Sequence, residues 1–252
     1  MWFHVDDSHY QTASIGVAIS NVPEGPFMPV YVMRPNGMES RDFTLFEDAT
    51  GKAYLVYSSE ANTTLHITRL TSDFLNVESD FSRILIDQMR ESPCIFFDYG
   101  QYYAITSGCT GWRPNAALFA TAQELEGPWR IQDNPCRGDA VVEGEPMPAE
   151  LTYGGQISCV FCSGGHWLAL VDHWKPNNIG SSGYSFLPVR VSHAKRHGLF
   201  IPWKAKSFAL NASKSDSNRP CVRVMVLANT ADKSVEFALA LALLTPSLEV
   251  CG

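Results

Sequence analysis

Three polar side chains stand where the sequence passes from a polar stretch into an apolar run. Asp42 precedes FTLF, Glu91 precedes SPCIFF and Gln156 precedes ISCVF. A carboxyl group can give or take a proton, whereas an amide can only donate and accept hydrogen bonds. An acidic residue before a strand is most often a solvated turn residue, but three such residues in register favour a shared pocket, because burial of an unused polar group is costly. Asp42, Glu91 and Gln156 are therefore candidates for a site of acid–base chemistry.

The elements that would position these residues recur along the chain. An aromatic residue followed by alternating apolar residues, usually after a turn glycine, occurs at 2–7, 51–60, 100–109 and 164–173. A strand followed by Gly-Pro-aromatic occurs at 16–27 and 117–129, with a degenerate copy at 66–75. Repeats of about 50 residues that each hold several short strands are typical of β-propellers. A β-sandwich is the alternative, but it would not explain motifs that recur at this spacing.

The propeller prediction explains why the three polar residues belong together. In a propeller the inner strands of successive sheets, called blades, converge on the central axis. The segments at 40–48, 90–98 and 154–161 hold the same place in successive repeats, so Asp42, Glu91 and Gln156 would point at one central pocket from neighbouring blades.

Composition supports a packed fold and argues against some partners. The 252 residues are 45% hydrophobic, 12% aromatic and only 18% charged, which is enough apolar material for a sizeable core. The formal net charge is −7 and no basic stripe is visible, so we expect neither a nucleic-acid nor an anionic-membrane partner. The apolar run at 234–250 contains two glutamates and a proline, and it is too short to predict a membrane span.

Seven cysteines leave at least one free thiol, because the count is odd. Cys159 and Cys162 form a C-x-x-C pair, but no second pair or histidine partner follows at zinc spacing. The favoured interpretation is that the cysteines are small buried apolar residues. The sequence is also compatible with one disulfide among them. No residues predict a metal site.

Longer motifs resemble glycoside hydrolase family 43, and most of all its exo-β-1,3-galactanase type (galactan 1,3-β-galactosidase). The resemblance rests on SRDFTLFEDATGKAYLVYSSEANTTLHITRLT, RESPCIFFDYGQYYAITSGCTGW, TYGGQISCVF and DHWKPNNIGSSGYSFLPV, and it extends from about residue 1 to about residue 205. It implies an all-β, five-bladed β-propeller with a central pocket. It also implies an enzyme that hydrolyses O-glycosyl bonds with inversion, in which an acid protonates the leaving oxygen and a base activates water.

The resemblance also implies roles for particular residues. Glu91 in RESP matches the general acid, and Asp42 in SRD matches the acidic residue that orients the acid and raises its pKa through its like charge. Gln156 matches a glutamine that stands where a base would act. Since an amide is a poor base, its chemistry alone favours a role in positioning water or sugar.

Further residues resemble sugar-contacting positions: Tyr10, Glu60, Asn62, Thr110 and Trp112. Trp112 would stack on a galactose ring, or else be a core tryptophan. The family needs no cofactor for its chemistry. A structural calcium occurs in some relatives, but no ligands for one are assignable in this sequence.

Two departures from the family pattern set the predicted boundaries. The chain opens in the middle of a strand with no signal peptide, so we expect a propeller truncated at its N-terminus, with about four blades visible. The domain is predicted at 1–205 and a divergent C-terminal segment at 206–252. The expected partner is galactan-type poly- or oligosaccharide, and the resemblance suggests a secreted protein. An arabinofuranosidase or xylosidase of the same family, or an inactive carbohydrate-binding propeller fragment, is the alternative.

Overall fold

The computed structural model describes residues 1–192 and 198–203, and within them the fold is all-β, as predicted. The predicted C-terminal segment 206–252 lies outside the described residues. The strands are β1 (Trp2–Val5), β2 (Ser14–Ile19), β3 (Met28–Met33), β4 (Phe43–Glu47), β5 (Ala53–Ser59), β6 (Thr64–Leu70), β7 (Val77–Ile84), β8 (Arg90–Asp98), β9 (Gln101–Gly108), β10 (Leu118–Ala122), β11 (Arg130–Ile131), β12 (Cys136–Arg137), β13 (Asp139–Val142), β14 (Glu145–Pro148), β15 (Gln156–Ser163), β16 (His166–His173), β17 (Gly183–Ser192) and β18 (Gly198–Pro202).

Four sheets follow one another along the chain. The first sheet is β1-β2-β3, the second is β4-β5-β6-β7 and the third is β8-β9-β10-β11, all paired antiparallel between consecutive strands. The fourth sheet is β15-β16-β17-β18, to which β12 adds a short parallel strand beside β18. A separate hairpin, β13-β14, lies between the third and fourth sheets in sequence.

Repeated sequence motifs occupy repeated places in these sheets. Three of the four segments that share the aromatic pattern form β5, β9 and β16, each the second strand of its sheet, whereas the segment 2–7 forms β1, the first strand of its sheet. Both Gly-Pro-aromatic motifs lie in the connection to the last strand of their sheet, and both Gly–Pro bonds are cis. The repeat read from the sequence therefore corresponds to equivalent positions in successive sheets.

The sheets stack face to face, with one apolar core between each consecutive pair. Leu55 of β5 packs between the first and second sheets, while its neighbour Val56 packs between the second and third. Phe96 of β8 and Trp167 of β16 share the core between the third and fourth sheets. Successive strand residues point to opposite faces, so a strand with a core on both sides is a nearly continuous apolar run.

The C-x-x-C pair does not form a metal site. Cys162 packs into the core between the third and fourth sheets, whereas Cys159 packs on the opposite face of β15. Residues three apart in a strand point to opposite sides, which separates the two thiols. Cys94, Cys109 and Cys136 are likewise free thiols, and Cys221 and Cys251 lie outside the described residues.

No described helix is long and apolar enough to span a membrane. No group of three or more metal-ligating side chains occurs within residues 1–192 and 198–203.

We expect Leu55→Ala to lower the free energy of unfolding by about 2–5 kcal/mol, because Leu55 is fully buried and its loss leaves a cavity between two sheets. Leu151→Ala is the matched control, since Leu151 is 39% exposed and should change stability by less than about 0.5 kcal/mol. Urea unfolding followed by tryptophan fluorescence measures both, and equal effects would contradict the assignment of this core.

Candidate active site

The structure brings Asp42, Glu91 and Gln156 together from three different sheets. Asp42 immediately precedes β4, Glu91 is the second residue of β8 and Gln156 is the first residue of β15. The Gln156 Nε2 atom lies 3.5 Å from Glu91 Oε1. The backbone N–H of Ser92, next to Glu91, donates to Asp42 Oδ2 at 3.1 Å. The two carboxyl groups and the amide therefore share one small region where three sheets meet.

A β-bulge follows Glu91 in β8, and another follows Gln156 in β15. The register of β8 shifts between Glu91 and Cys94, and Ser92 adopts a left-handed φ of 49°. The register of β15 shifts between Ile157 and Cys159. The two bulges contact each other, because Ser92 Oγ donates to the carbonyl of Ile157 at 2.9 Å. Bulges re-aim side chains beside active sites, and here they direct Glu91 and Gln156 toward one another.

A second serine ties the second sheet to the third. Ser58 of β5 donates its backbone N–H to the carbonyl of Asp42 at 2.8 Å, which extends the β4–β5 pairing past the end of β4. Its hydroxyl donates to the carbonyl of Arg90 at 3.2 Å. Ser58 is fully buried, so these hydrogen bonds satisfy polar groups that water cannot reach. Asp42 and Glu91 are thereby held by a common backbone framework.

The backbone before Gln156 is folded into an uncommon left-handed turn. Thr152, Tyr153 and Gly154 have φ values of 49°, 57° and 78°. Buried side chains hold this turn: Thr152 Oγ1 accepts the N–H of Ala117 at 2.9 Å, and the Tyr153 hydroxyl donates to the carbonyl of Ile201 at 2.6 Å. Non-glycine residues in this region cost free energy and persist where surrounding structure holds them, often at functional sites.

Burial is the main cause of the electrostatic character of the site. Burial, and secondarily the negative charge of Asp42, raises the pKa of Glu91 to about 7, against smaller opposing effects of the Cys109 thiol and Arg90. Burial also raises the pKa of Asp42, although His4, the Ser92 N–H and Arg41 oppose the change. The like charge expected from the sequence contributes, but desolvation is the larger effect. A carboxyl group with a pKa near 7 is suited to donate a proton at neutral pH.

Glu60 and Asn62 lie in a second left-handed turn next to the site. Glu60, Ala61 and Asn62 have φ values of 52°, 55° and 64°. The Glu60 carboxylate pairs with Arg83 at 2.7 and 2.5 Å and with His66 at 2.8 Å, and Arg83 is the main reason that the pKa of Glu60 is lowered to about 2. The carbonyl of Asn62 accepts the N–H of Arg90 at 3.0 Å, so this turn supports the strand that carries Glu91.

The other predicted sugar contacts are placed differently. Trp112 is 42% exposed and packs edge-on against Trp174, with ring centroids 5.3 Å apart, beside Gln156. It is therefore not a core tryptophan. The Thr110 hydroxyl makes its hydrogen bonds within its own loop: it donates to the carbonyl of Arg113 and accepts from the Asn115 side chain. Tyr10 is 49% exposed, and its carbonyl accepts from Arg41 at 3.2 Å.

Three residues at the site were not predicted from the sequence. Trp174 donates its indole N–H to Gln156 Oε1 at 3.1 Å, and Ser107 accepts from Gln156 Nε2 at 2.8 Å. The Cys109 thiol hydrogen-bonds to the Glu91 carboxyl group. All three lie in segments that carried the family resemblance, but no spacing or periodicity marks them as neighbours of Gln156 or Glu91.

The all-β fold brings a carboxyl group with a raised pKa, a second carboxyl group and an amide together where three sheets meet, and paired carboxyl groups are what most glycoside hydrolases use. Residues 2–184 match the family model of glycosyl hydrolases family 43. That match spans most of the chain. The protein belongs to glycosyl hydrolases family 43.

Solved structures agree with this membership. A family 43 β-1,3-galactosidase with galactodeoxynojirimycin is 31% identical, with a TM-score of 0.75 over 82% of this chain and 72% of that chain. The exo-β-1,3-galactanase from Phanerochaete chrysosporium with β-1,3-galactotriose is 32% identical, with a TM-score of 0.67 over 75% of this chain and 42% of that chain. The exo-β-1,3-galactanase from Clostridium thermocellum is 29% identical, with a TM-score of 0.66 over 77% of this chain and 43% of that chain.

The chain thus matches less than half the length of these two galactanase chains. The comparison with curated proteins found no match.

We expect Asp42→Asn to lower the pKa of Glu91 below about 7, because the substitution removes a like charge and leaves burial in place. Titration of the ¹³C-labelled Glu91 carboxyl by NMR measures the change. Asp48→Asn serves as the control, since Asp48 lies in a turn at the far end of β4 and should leave the Glu91 titration unchanged. A Glu91 pKa that stays the same or rises in Asp42→Asn would show that the two carboxyl groups do not interact.

We expect Gly155→Ala to displace Gln156 and to destabilise the fold by about 1–3 kcal/mol. A Cβ at position 155 would lie 2.5 Å from Val171 Cγ1 and 2.7 Å from the carbonyl oxygen of Asp172, and that backbone cannot easily yield. Gly183→Ala is the matched control, because a Cβ there meets nothing within 4 Å. Urea unfolding midpoints compare the two variants, and an unperturbed Gly155→Ala would refute the close packing described before Gln156.

Proposed function

We propose that this protein hydrolyses β-1,3-galactan from the non-reducing end, with inversion, and releases galactose. The observation that carries the proposal is the buried carboxyl group of Glu91, whose pKa is raised to about 7, beside Asp42 and Gln156. The substrate class is supported by the similarity to a β-1,3-galactosidase and to exo-β-1,3-galactanases.

In this mechanism Glu91 is the general acid that protonates the leaving glycosidic oxygen. Asp42 does not donate the proton in this proposal. It accepts the N–H of Ser92 and raises the pKa of Glu91 by its charge, which keeps the acid protonated until the bond breaks. Proton donation of this kind contributes about 10²–10⁴ to the rate.

Gln156 supplies the polar group on the third sheet of the site. In an inverting glycosidase the acid and the water-activating group stand roughly 6.5–9.5 Å apart, which leaves room for water and the sugar. In the structure the amide nitrogen of Gln156 is 3.5 Å from Glu91 Oε1, which is closer than that spacing. We propose that Gln156 positions the attacking water or a sugar hydroxyl through its amide, in the place where other glycosidases use a carboxylate.

The remaining predicted contacts divide into two roles. Trp112 offers an exposed ring beside Gln156 on which the apolar face of galactose can stack. The Glu60 carboxylate is held in place by Arg83, His66 and Thr64, and we propose that it contacts a sugar hydroxyl from that fixed position. We propose Tyr10, Asn62 and Thr110 as further sugar contacts at the rim.

The same proposal extends to architecture and location. We propose that the four sheets are blades of a five-bladed β-propeller, because consecutive sheets deliver Asp42, Glu91 and Gln156 from equivalent first strands. The hydrolase domain would end near residue 205, shortly after β18. We also propose that the protein is secreted, since galactan is a polymer too large to be met inside the cell.

We expect Glu91→Gln to reduce galactose release from β-1,3-galactobiose by at least about 10²-fold while sugar binding is retained, because the amide preserves shape but carries no transferable proton. Glu124→Gln is the matched control at an exposed glutamate and should keep full activity. Release is measured by galactose quantification and binding by calorimetry. Turnover by Glu91→Gln at the parent rate would overturn the assignment of the acid.

The stereochemical course is tested separately on the parent protein. Inversion of a β-linked substrate gives α-galactose as the first product, which ¹H NMR detects before the anomers equilibrate. First appearance of β-galactose would contradict the inverting mechanism. No release of galactose from a folded parent protein would contradict the proposed activity.

A further inference from the structure

The amide of Gln156 makes three hydrogen bonds: its oxygen accepts one and its nitrogen donates two. The indole N–H of Trp174 donates to Oε1 at 3.1 Å, and Nε2 donates to Ser107 Oγ at 2.8 Å. Ser107 in turn donates to the carbonyl of Glu91 at 3.4 Å. The second N–H of the amide faces Glu91 Oε1, 3.5 Å away.

Of these three partners, only Trp174 decides which side of the Gln156 amide carries the oxygen and which carries the nitrogen. A serine hydroxyl can donate or accept, and a carboxyl group can do either according to its protonation, so Ser107 and Glu91 tolerate both orientations of the amide. An indole nitrogen is a donor only, so it requires the amide oxygen on its own side. The amide N–H groups must then face Ser107 and Glu91.

We propose that Trp174 is a positioning residue that holds the Gln156 amide with its N–H groups toward Ser107 and the acid Glu91. The effect of this orientation on catalysis rests on the proposed function. The orientation itself rests only on the hydrogen bonds of Gln156. Ser107 is 5% exposed, so the hydrogen bond that it accepts from Nε2 is shielded from competing water. Trp174 borders the same pocket as Trp112 and Gln156.

The orientation has a definite consequence for the acid. An amide N–H that faces Glu91 stabilises the ionised carboxylate, whereas an amide oxygen in the same place would accept from the protonated acid and stabilise that form. With Trp174 in place, Gln156 therefore opposes the effects of burial and of Asp42. Loss of the indole N–H frees the amide to turn and shifts the balance toward the protonated acid.

Trp174→Phe tests the proposal, because it keeps an aromatic ring against Trp112 and deletes the N–H donor. We expect the pKa of Glu91, followed by ¹³C NMR, to rise by about half a unit or more. If the parent releases galactose, we also expect kcat to fall by about tenfold with little change in KM, and the alkaline limb of the kcat profile to move to higher pH.

The matched control is Trp112→Phe. It makes the same chemical change in the neighbouring ring, which has no hydrogen bond to Gln156 among those described. We expect KM to rise, because a sugar-stacking ring is smaller, while the Glu91 titration stays where it is in the parent. Ser107→Ala leaves the indole donor of Trp174 in place, so the amide should keep its orientation and the Glu91 pKa should not rise.

The outcomes separate this proposal from the proposed function. An unchanged Glu91 titration in a folded Trp174→Phe overturns the positioning role, whether or not the parent is active. A shift of equal size in Trp112→Phe overturns it as well, because the effect would then come from the rings and not from the N–H. The expected shift in a parent that releases no galactose supports the positioning role and refutes the activity.

Discussion

Hydrogen bonds from small serine side chains to backbone carbonyls hold the candidate site together. The second, third and fourth sheets share no strand, so ladder hydrogen bonds alone cannot align their ends. Ser58 reaches from the second sheet to the carbonyl of Arg90, and Ser92 reaches from the third to the carbonyl of Ile157. A hydroxyl on one carbon has little conformational freedom to lose, and a buried carbonyl without a partner is costly. These short links therefore hold neighbouring sheets in a single register where the polar side chains meet.

The price of that alignment is the removal of two carboxyl groups from water. Desolvation disfavours the charged form of both Asp42 and Glu91, and the charge of Asp42 adds to the effect on Glu91. The surrounding donors are few and specific: one backbone N–H on Asp42, and a thiol and an amide near Glu91. Glu60 shows the contrast, because an arginine and a histidine hold its pKa low in the same region. The sheets thus supply one acid that is readily protonated and one carboxylate that is firmly ionised.

Much of this arrangement could be predicted from the sequence. The rest depends on packing between sheets and on contacts between side chains that are distant in sequence. Continuous apolar runs and recurrent Gly–aromatic motifs predicted an all-β fold, which is confirmed. Polar residues heading those runs predicted that Asp42, Glu91 and Gln156 would converge, and their catalytic roles stay predictions. The bulges after Glu91 and Gln156 could not be predicted, because no glycine marks them and a one-residue shift of register is decided by packing between sheets. Trp174 was missed because its partner is a side-chain amide on the neighbouring strand, a contact that no periodicity encodes.

The separate cores between successive sheets bear on how such an enzyme can evolve. The core that contains Val56 sets the position of Asp42 relative to Glu91, and the core that contains Phe96 sets the position of Glu91 relative to Gln156. Each core lies between only two sheets, so substitutions in one act first on the pair Asp42–Glu91 and substitutions in the other act first on the pair Glu91–Gln156. Ser92 contacts Asp42 and Ile157 together, so a change at either interface is passed through Glu91 to the other, and the two halves of the site must evolve in step.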